Sequence, residues 1–148
     1  MSAPARMTAA EYCDLVAKPK GRGRGNKYGA QQAFRCAACG ADAKDREAPC
    51  RACRGIDFLR FDSKVEARRY DVLRQRQNLG EIHGLTLQDR FPIRINGRKV
   101  STYRADFSYY DLSGVHHVED VKGRDTDASR LRRRAVEAQY GITIEIVR

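Results

Sequence analysis

The sequence predicts an α/β fold in which a mixed sheet of four to five strands is flanked by helices. A helical pattern runs from Phe61 to Leu79 and ends at Gly80. Two turn signals then join three strands into an antiparallel meander, and a second helix leads into a last strand. A helix that links two strands of one sheet favours a right-handed crossover, so the last strand should lie parallel to the third.

The first 27 residues are predicted to form a helix and a basic arm, ahead of a main domain at residues 28–148. Thr8 and Glu11 have capping-box spacing at the start of a short apolar stripe. From Lys18 to Lys27, glycine, proline and five cations predict a flexible segment. That segment is either a solvated linker or an arm that wraps a phosphate backbone.

Two helices are predicted in the main domain. The first spans Phe61 to Leu79, and the second begins after Asp125 and ends at Gly141. Glu66 follows Ser63 by three residues, so the local pattern alone makes Glu66 a helix cap. The apolar positions expected in the core are Val65, Val72, Leu73 and Leu79 in the first helix and Leu131, Ala135 and Ala138 in the second.

Four strands complete the predicted domain. The first runs from Leu85 to Ile95, and Pro92 places it at a sheet edge or at a bulge. Asn96-Gly97 is a hairpin signal that leads into a second strand ending near Asp111. The other two strands are Val115–Gly123 and Ile142–Val147.

The chain is strongly basic, with 29 Lys and Arg against 19 Asp and Glu and a formal net charge of +10 in 148 residues. This charge favours a polyanionic partner, nucleic acid first, although a ribosome-like or merely soluble basic protein would have the same balance. Glu11 and Asp14 interrupt the apolar N-terminal run, and no stretch approaches membrane-spanning length. We therefore expect a cytoplasmic protein with no membrane partner.

Four of the five cysteines form two Cys-x-x-Cys pairs, Cys36 with Cys39 and Cys50 with Cys53. Without a secretory signal this pattern favours metal over disulfides, and two such knuckles complete a tetrahedral zinc site. Disulfides, an iron centre and free thiols are the alternatives. Four protein ligands leave no position for substrate, so Zn²⁺ should be structural, in an insertion over about residues 35–54. The nearby cations would either touch DNA or be solvated; they are Arg35, Lys44, Arg46, Arg51 and Arg54.

Asp120 and Lys122 lie two residues apart on the third strand, so both side chains should leave the same face. If the preceding loop has three residues, Leu112–Gly114, Asp106 lies directly opposite Asp120. Opposed carboxylates repel each other, whereas a divalent cation such as Mg²⁺ would bind both. A two-residue turn would shift the register by one and face the aspartates apart.

Neighbouring polar residues have plainer alternatives. Glu119 should face away from Asp120, outside the candidate site. His116 shares the face of Asp120 and is either a hydrogen-bonded structural residue or a substrate contact. Lys122 is either a surface cation or a group that orients attacking water and stabilises charge on a phosphate.

The ordered set of Glu66, Asp106 and Glu119-Asp120-Val-Lys122-Gly resembles the PD-(D/E)XK (restriction-endonuclease-like) nuclease superfamily, whose core is a helix, a three-stranded antiparallel meander, a helix and a fourth strand. More narrowly, the chain is similar to small phage and prophage proteins of unknown function grouped with Holliday junction resolvases. The segments that fit that family are Met7-Thr-Ala-Ala-Glu-Tyr12, Asn26-Lys-Tyr-Gly29, Gly80-Glu-Ile82, Leu87-Gln88 with Phe91, and Val118-Glu-Asp-Val-Lys-Gly123.

This resemblance implies that Glu66, Asp106 and Asp120 bind one or two catalytic Mg²⁺ ions, that Lys122 serves the attacking water, and that Gln88 is an accessory residue. The protein would then be a metal-dependent DNA endonuclease. Few side chains are typical of base recognition, so branched DNA is the expected substrate, and a symmetric homodimer would suit a four-way junction.

Two features depart from the family pattern. The Cys₄ loop is absent from its simplest members, and Ala105 stands where the superfamily motif has proline. The alternative function is a zinc-containing DNA-binding or adaptor protein in which the carboxylates are structural.

Overall fold

A computed structural model describes residues 30–44, 46–122 and 124–148, and residues 31–148 form one unit. The predicted N-terminal helix, the basic arm and the Asn26–Gly29 segment lie outside the described residues. Within the described ranges, no helix has the length and apolarity needed to cross a membrane.

The centre of the fold is a mixed four-stranded sheet with strand order β3-β6-β7-β8. Strands β3, β6 and β7 are antiparallel neighbours, and β8 is parallel to β7, which confirms the predicted α/β class with a mixed sheet. Strand pairs β1-β2 and β4-β5 form separate antiparallel ribbons. The elements are β1 Ala33–Cys36, β2 Phe58–Phe61, α1 Lys64–Asn78, β3 Ile82–Leu87, β4 Arg90–Ile95, β5 Arg98–Arg104, β6 Phe107–Asp111, β7 His116–Val121, α2 Asp127–Tyr140 and β8 Ile144–Val147.

Helix α1 begins at the predicted cap. The Ser63 hydroxyl accepts from Glu66 N at 3.1 Å, and Glu66 Oε2 accepts from Asp62 N at 3.0 Å. The predicted core stripe was wrong except for Leu73, because Val65, Val72 and Leu79 are exposed. The buried positions are Glu66, Ala67, Tyr70 and Leu73, so a carboxylate and a phenol take core positions that an apolar count overlooks.

Helix α2 also buries a different stripe from the predicted one. It starts at the Thr126 cap and ends at Gly141, whose φ of 65° is the left-handed conformation glycine favours. Leu131 is 71% exposed and Val136 is fully buried, so the predicted stripe was wrong at Leu131. Ala135 packs at the edge of the core, as predicted, while Ala138 is exposed.

The single strand predicted from Leu85 to Ile95 was wrong. Two strands, β3 and β4, occupy this region, and the chain changes direction at Gln88, where φ is 53°. The second predicted strand is interrupted opposite this point, between β5 and β6. Gln88 N donates to Asp106 O at 2.9 Å and Ala105 N donates to Asp89 O at 2.9 Å, so the two interruptions pair with each other. The hairpin therefore leaves the main sheet here and continues as the β4-β5 ribbon.

Strand β4 confirms the expectation for Pro92. The β4-β5 ribbon has two strands, so Pro92 is on an edge, and the register shifts between Ile93 and Arg94. The Asn96-Gly97 turn is also confirmed, with positive φ at both residues.

The register of β6 and β7 is the predicted one. Asp111 N donates to Val115 O across the three-residue loop Leu112–Gly114, and Phe107 pairs with Glu119. Because Asp106 immediately precedes β6 and Phe107 pairs with Glu119, this register brings Asp106 next to Asp120.

The main sheet has a hydrophobic core on each face. On one face, α1 packs through Tyr70 and Leu73 against Phe107 and Ile82. On the other, Val136 of α2 packs with Ala105, which follows β5, and with residues of β4, β5, β7 and β8; the strand residues are Phe91, Ile93, Tyr103, Val118 and Ile144. Both helices and the ribbon are thereby fixed to the central strand β7.

Glu119 is fully buried on the α1 side of β7, as its predicted orientation requires. The Arg69 guanidinium contacts both carboxylate oxygens, with Nε to Oε2 at 2.7 Å, and the Tyr109 hydroxyl donates to Oε1 at 2.7 Å. Burial alone would raise the pKa of Glu119, but the bonds from Arg69 and Tyr109 hold it below the ordinary value. This ion pair attaches α1 to the sheet.

Replacing Arg69 with Met should lower the free energy of unfolding by about 3 kcal/mol at neutral pH, because it leaves a buried carboxylate without its cation. Since the folded-state pKa of Glu119 is lowered, its stabilisation is present above the ordinary value of about 4.5 and lost as pH falls below it. The difference from wild type in urea unfolding should therefore shrink near pH 4. Arg68→Met, an exposed neighbour on α1, is the control; equal losses for both variants would contradict this role.

Candidate functional site

The four cysteines converge at one point beyond β1 and β2. Cys36 ends β1, Cys39 follows in a tight turn, and Cys50 and Cys53 form a second turn before β2. The Sγ atoms of Cys36 and Cys53 are 3.5 Å apart, those of Cys39 and Cys50 are 3.6 Å apart, and all four lie within 4.8 Å of one another. A tetrahedral ion with Zn–S bonds of about 2.3 Å needs sulfur separations of about 3.8 Å. The quartet can therefore hold one zinc ion.

Backbone N–H groups of the two turns favour the thiolate form. The Cys39 N–H lowers the pKa of Cys36 to about 6, and the Cys53 N–H lowers the pKa of Cys50. The Gly55 N–H acts in the same direction on Cys53, but the neighbouring Cys39 and Cys36 sulfurs raise its pKa to about 12. The Cys53 thiol thus resists ionisation mainly because of the other sulfurs, with a smaller effect of burial, and a cation at the centre removes the repulsion between the thiolates.

Helix α1 holds the Cys₄ loop in place. Arg35 forms a two-pronged ion pair with Asp71 of α1, with both N–O distances at 2.8 Å. Arg74 of α1 donates to Ala38 O at 2.7 Å, within the first knuckle. Gly40 has a φ of 79°, and a Cβ atom there would lie 3.0 Å from the Arg74 guanidinium. The loop and helix therefore form one closely packed structure.

On the other face of the sheet, Asp120 is held by two side chains, Tyr103 and Lys122. It is 3% exposed, and its Oδ2 accepts from the Tyr103 hydroxyl and lies 2.8 Å from Lys122 Nζ. Lys122 also donates to the Ser129 hydroxyl and lies 5.6 Å from the centre of the Tyr103 ring. The Lys122 ammonium is thus fixed beside the carboxylate and is not a free surface cation.

Asp106 joins this group from the interruption between β5 and β6. Its Oδ2 accepts from Val121 N at 2.6 Å. Burial, Asp120 and Glu66 raise the pKa of Asp106 to about 8, although the bond from Val121 acts against this. The Asp106 carboxyl therefore keeps its proton near neutral pH.

Glu66 and Gln88 lie in a cleft next to the aspartates. The cleft has a volume of about 180 Å³ and is lined by Leu59, Arg60, Phe61, Glu66, Leu87 and Gln88. Glu66 is 7% exposed, and burial raises its pKa. Its carboxylate caps α1 at Asp62 N, as the local pattern predicted, and it lies near enough to Asp106 to raise the pKa of that carboxyl.

The acidic group is looser than the cysteine quartet. Among the described residues, the quartet is the single set of three or more His, Cys, Asp or Glu side chains with ligand atoms all within 4.8 Å. The closest part of the acidic group is therefore Asp120 with Asp106 and Lys122. The adjacent cleft contains Glu66 and Gln88.

Tyr103 and Ser129 are site residues that the sequence patterns did not reveal. Burial and the bond to Asp120 raise the pKa of Tyr103, so its hydroxyl remains a donor. Neither residue belongs to a motif; Tyr103 comes from β5 and Ser129 from α2, and only the packing of these elements brings them to Asp120.

His116 contacts protein rather than the acidic group. Its ring stacks on Tyr110 at 4.7 Å between centroids, and His83 stacks on the same tyrosine at 5.7 Å. This arrangement favours the structural alternative for His116.

A protein-family model described as "Protein of unknown function (DUF1064)" matches residues 53–146. The matched range contains Glu66, Asp106, Asp120 and Lys122 but only the last of the four clustered cysteines. Comparison with curated proteins and with solved structures finds no significant match.

Metal analysis of the purified chain should find about one tightly bound zinc ion per molecule. Cys36→Ser should lower this content towards zero and make residues 36–53 sensitive to protease, because the loop loses its central ligand set. Cys13→Ser, outside the quartet, is the matched control. A zinc-free chain with wild-type protease resistance would contradict the structural role.

The raised pKa of Asp106 predicts a pH-dependent effect of Asp106→Asn. The pKa of Asp106 is raised in the folded state. Its protonated carboxyl therefore contributes its full stabilisation below pH 4, and this contribution is lost as pH rises through about 8. With no added divalent cation, the variant should therefore melt about 5 °C above wild type at pH 8.5, and close to it at pH 5. Thermal unfolding with resident zinc retained measures this. Asp127→Asn is the control, and an identical pH dependence in Asp106→Asn and wild type would refute the assignment.

Proposed function

This chain belongs to the DUF1064 family of proteins of unknown function, and from its acidic site we propose that it is a metal-dependent DNA endonuclease that hydrolyses phosphodiester bonds. The observation that carries the proposal is the pairing of half-buried Asp106 with buried Asp120, with Lys122 Nζ 2.8 Å from Asp120. Two opposed carboxylates weaken a fold unless a cation binds them.

The donor set suits Mg²⁺, which prefers carboxylate oxygens. Val121 N holds one oxygen of Asp106, and Tyr103 and Lys122 hold one oxygen of Asp120. The proton that Asp106 keeps near neutral pH is the positive charge that a bound cation would replace. Asp106 and Asp120 would hold Mg²⁺, with Glu66 as the third ligand. When bound, Mg²⁺ supplies a Lewis acid for attack on a phosphodiester.

Lys122 has the position of a group that acts on substrate. Asp120 and Ser129 restrict its ammonium, and the Tyr103 ring lies beneath it. From there it would donate to the attacking water or to a phosphate oxygen and stabilise the charge that develops during hydrolysis. Gln88, in the adjacent cleft with Glu66, would be an accessory contact.

The element order supports the resemblance to PD-(D/E)XK nucleases. Helix α1, the antiparallel strands β3, β6 and β7, helix α2 and the parallel strand β8 follow the sequence of that core, with the β4-β5 ribbon and the Cys₄ loop added. The net charge of +10 and the scarcity of base-reading side chains favour branched substrates such as Holliday junctions. We further propose action as a homodimer, in phage DNA metabolism in the host cytoplasm.

A zinc-containing DNA-binding or adaptor protein without catalysis is the second candidate. It is favoured by the cap that Glu66 makes at Asp62 and by the absence, among the described residues, of a closed three-carboxylate cluster. In that case the charge on Asp120 would serve only to bind Lys122.

Cleavage assays separate the two candidates. We expect the wild type to cut synthetic four-way junction or flap DNA in Mg²⁺, and Asp120→Asn to lower the rate at least about 100-fold because it removes a metal ligand. Linear duplex of the same sequence tests structure selectivity. Asp127→Asn, an exposed carboxylate on α2, should cut at the wild-type rate. No cleavage by wild type, or full cleavage by Asp120→Asn, would refute the nuclease proposal.

A further inference from the structure

A basic groove lies between the Cys₄ loop and the first turns of α1. Its volume is about 460 Å³. One wall is β1 with the loop residues 42–44, and the other carries Lys64 and Arg68 of α1. Asp42 is the one acidic residue among the described residues that line it.

The acidic charge in this groove is already compensated. Asp42 accepts from Arg35 at 2.7 Å, and Arg35 is also paired with Asp71. Three cations of the lining are exposed and form no ion pair within the described part of the chain; they are Lys44, Lys64 and Arg68. The ion pairs of this region involve other cations, namely Arg35, Arg60 and Arg69. Three positive charges therefore surround the cavity without a counter-charge from the described residues.

The groove is built on fixed structure. Ala43 N donates to Phe34 O at 3.1 Å, which joins the loop to β1, and the Arg35–Asp71 pair joins β1 to α1. A further cation, Arg46, lies 5.6 Å from the centre of the Phe34 ring. The cation on the loop and the two on the helix are therefore held on opposite sides of one cavity.

The chemistry of the lining selects the ligand. Lys44, Lys64 and Arg68 are long and solvent-accessible, which suits a chain of phosphates passing along the groove better than one enclosed anion. Lysine is a point charge that contacts phosphate without reading base identity. We propose that this groove binds the phosphate backbone of nucleic acid and that the Cys₄ loop is thereby a substrate-binding element. The inference shares its nucleic-acid partner with the proposed function and is independent of cleavage.

The test is equilibrium binding of labelled duplex and four-way junction DNA to the full, zinc-loaded chain, without added Mg²⁺, across about 50 to 200 mM salt. The triple variant Lys44→Ala, Lys64→Ala, Arg68→Ala should bind at least about tenfold more weakly at low salt. For this variant, the slope of the logarithm of the binding constant against the logarithm of the salt concentration should decrease in magnitude by about 2 to 3, because each lost phosphate contact removes about 0.9.

A charge-matched triple, Arg98→Ala, Arg132→Ala, Arg134→Ala, removes three exposed cations outside the groove and should change the slope by less than about 1. Lys44→Arg with Lys64→Arg should bind as wild type does. Zinc content and melting temperature must match wild type for both triples.

Equal weakening by the two triples would overturn the proposal, because net charge alone would then explain binding. Unchanged binding by the groove triple would overturn it as well, and so would complete displacement of DNA by millimolar inorganic phosphate at constant ionic strength, the behaviour of a small-anion site. Wild type that binds through the groove but cuts nothing would refute the nuclease proposal alone. Cleavage without groove-dependent binding would refute this one alone.

Discussion

Two consecutive carboxylates on β7 constrain the rest of the structure. Because side chains alternate along a strand, Glu119 and Asp120 are buried on opposite faces of the sheet, and each requires positive charge or hydrogen-bond donors on its own side. Arg69 satisfies Glu119 from α1, whereas Lys122 satisfies Asp120 from the same strand's end. Asp106 adds a second carboxylate to the Asp120 side only. One face thus holds a matched ion pair, whereas on the other face the second carboxylate has no cation of its own and keeps its proton near neutral pH.

Helix α1 connects the sheet, the Cys₄ loop and the acidic group. Arg69 holds the sheet, Asp71 and Arg74 hold the Cys₄ loop, and Glu66 extends towards the aspartates while capping its own helix. The side chains that make these contacts project from different sides of α1, because successive residues of a helix are rotated by about 100°. The position of the Cys₄ loop relative to the acidic group is therefore set by a single helix.

Local sequence rules predicted the parts that local geometry decides. The three-residue loop Leu112–Gly114 determined the β6-β7 register, and Ser63 marked the start of α1. The break at Gln88 was not predictable because apolar alternation continues through it, and the chain changes sheets where two interruptions pair. The core stripe of α1 was missed because its buried positions include the polar residue Glu66, whose burial depends on residues far away along the chain. Ser129 reaches Lys122 only through packing, which no spacing along the chain records.

The Cys₄ loop and the acidic group differ in the nature of their ligands. Four thiolates fill a tetrahedral ion, so the loop can contribute position but no chemistry. The position it fixes is that of Lys44, opposite two cations of α1 four residues apart and hence on one helix face. Glu66 leaves the same helix on its buried side. A phosphate backbone held along the outer face of α1 would therefore be aligned by the element that also positions the acidic site, and alignment of this kind requires no base-specific contact.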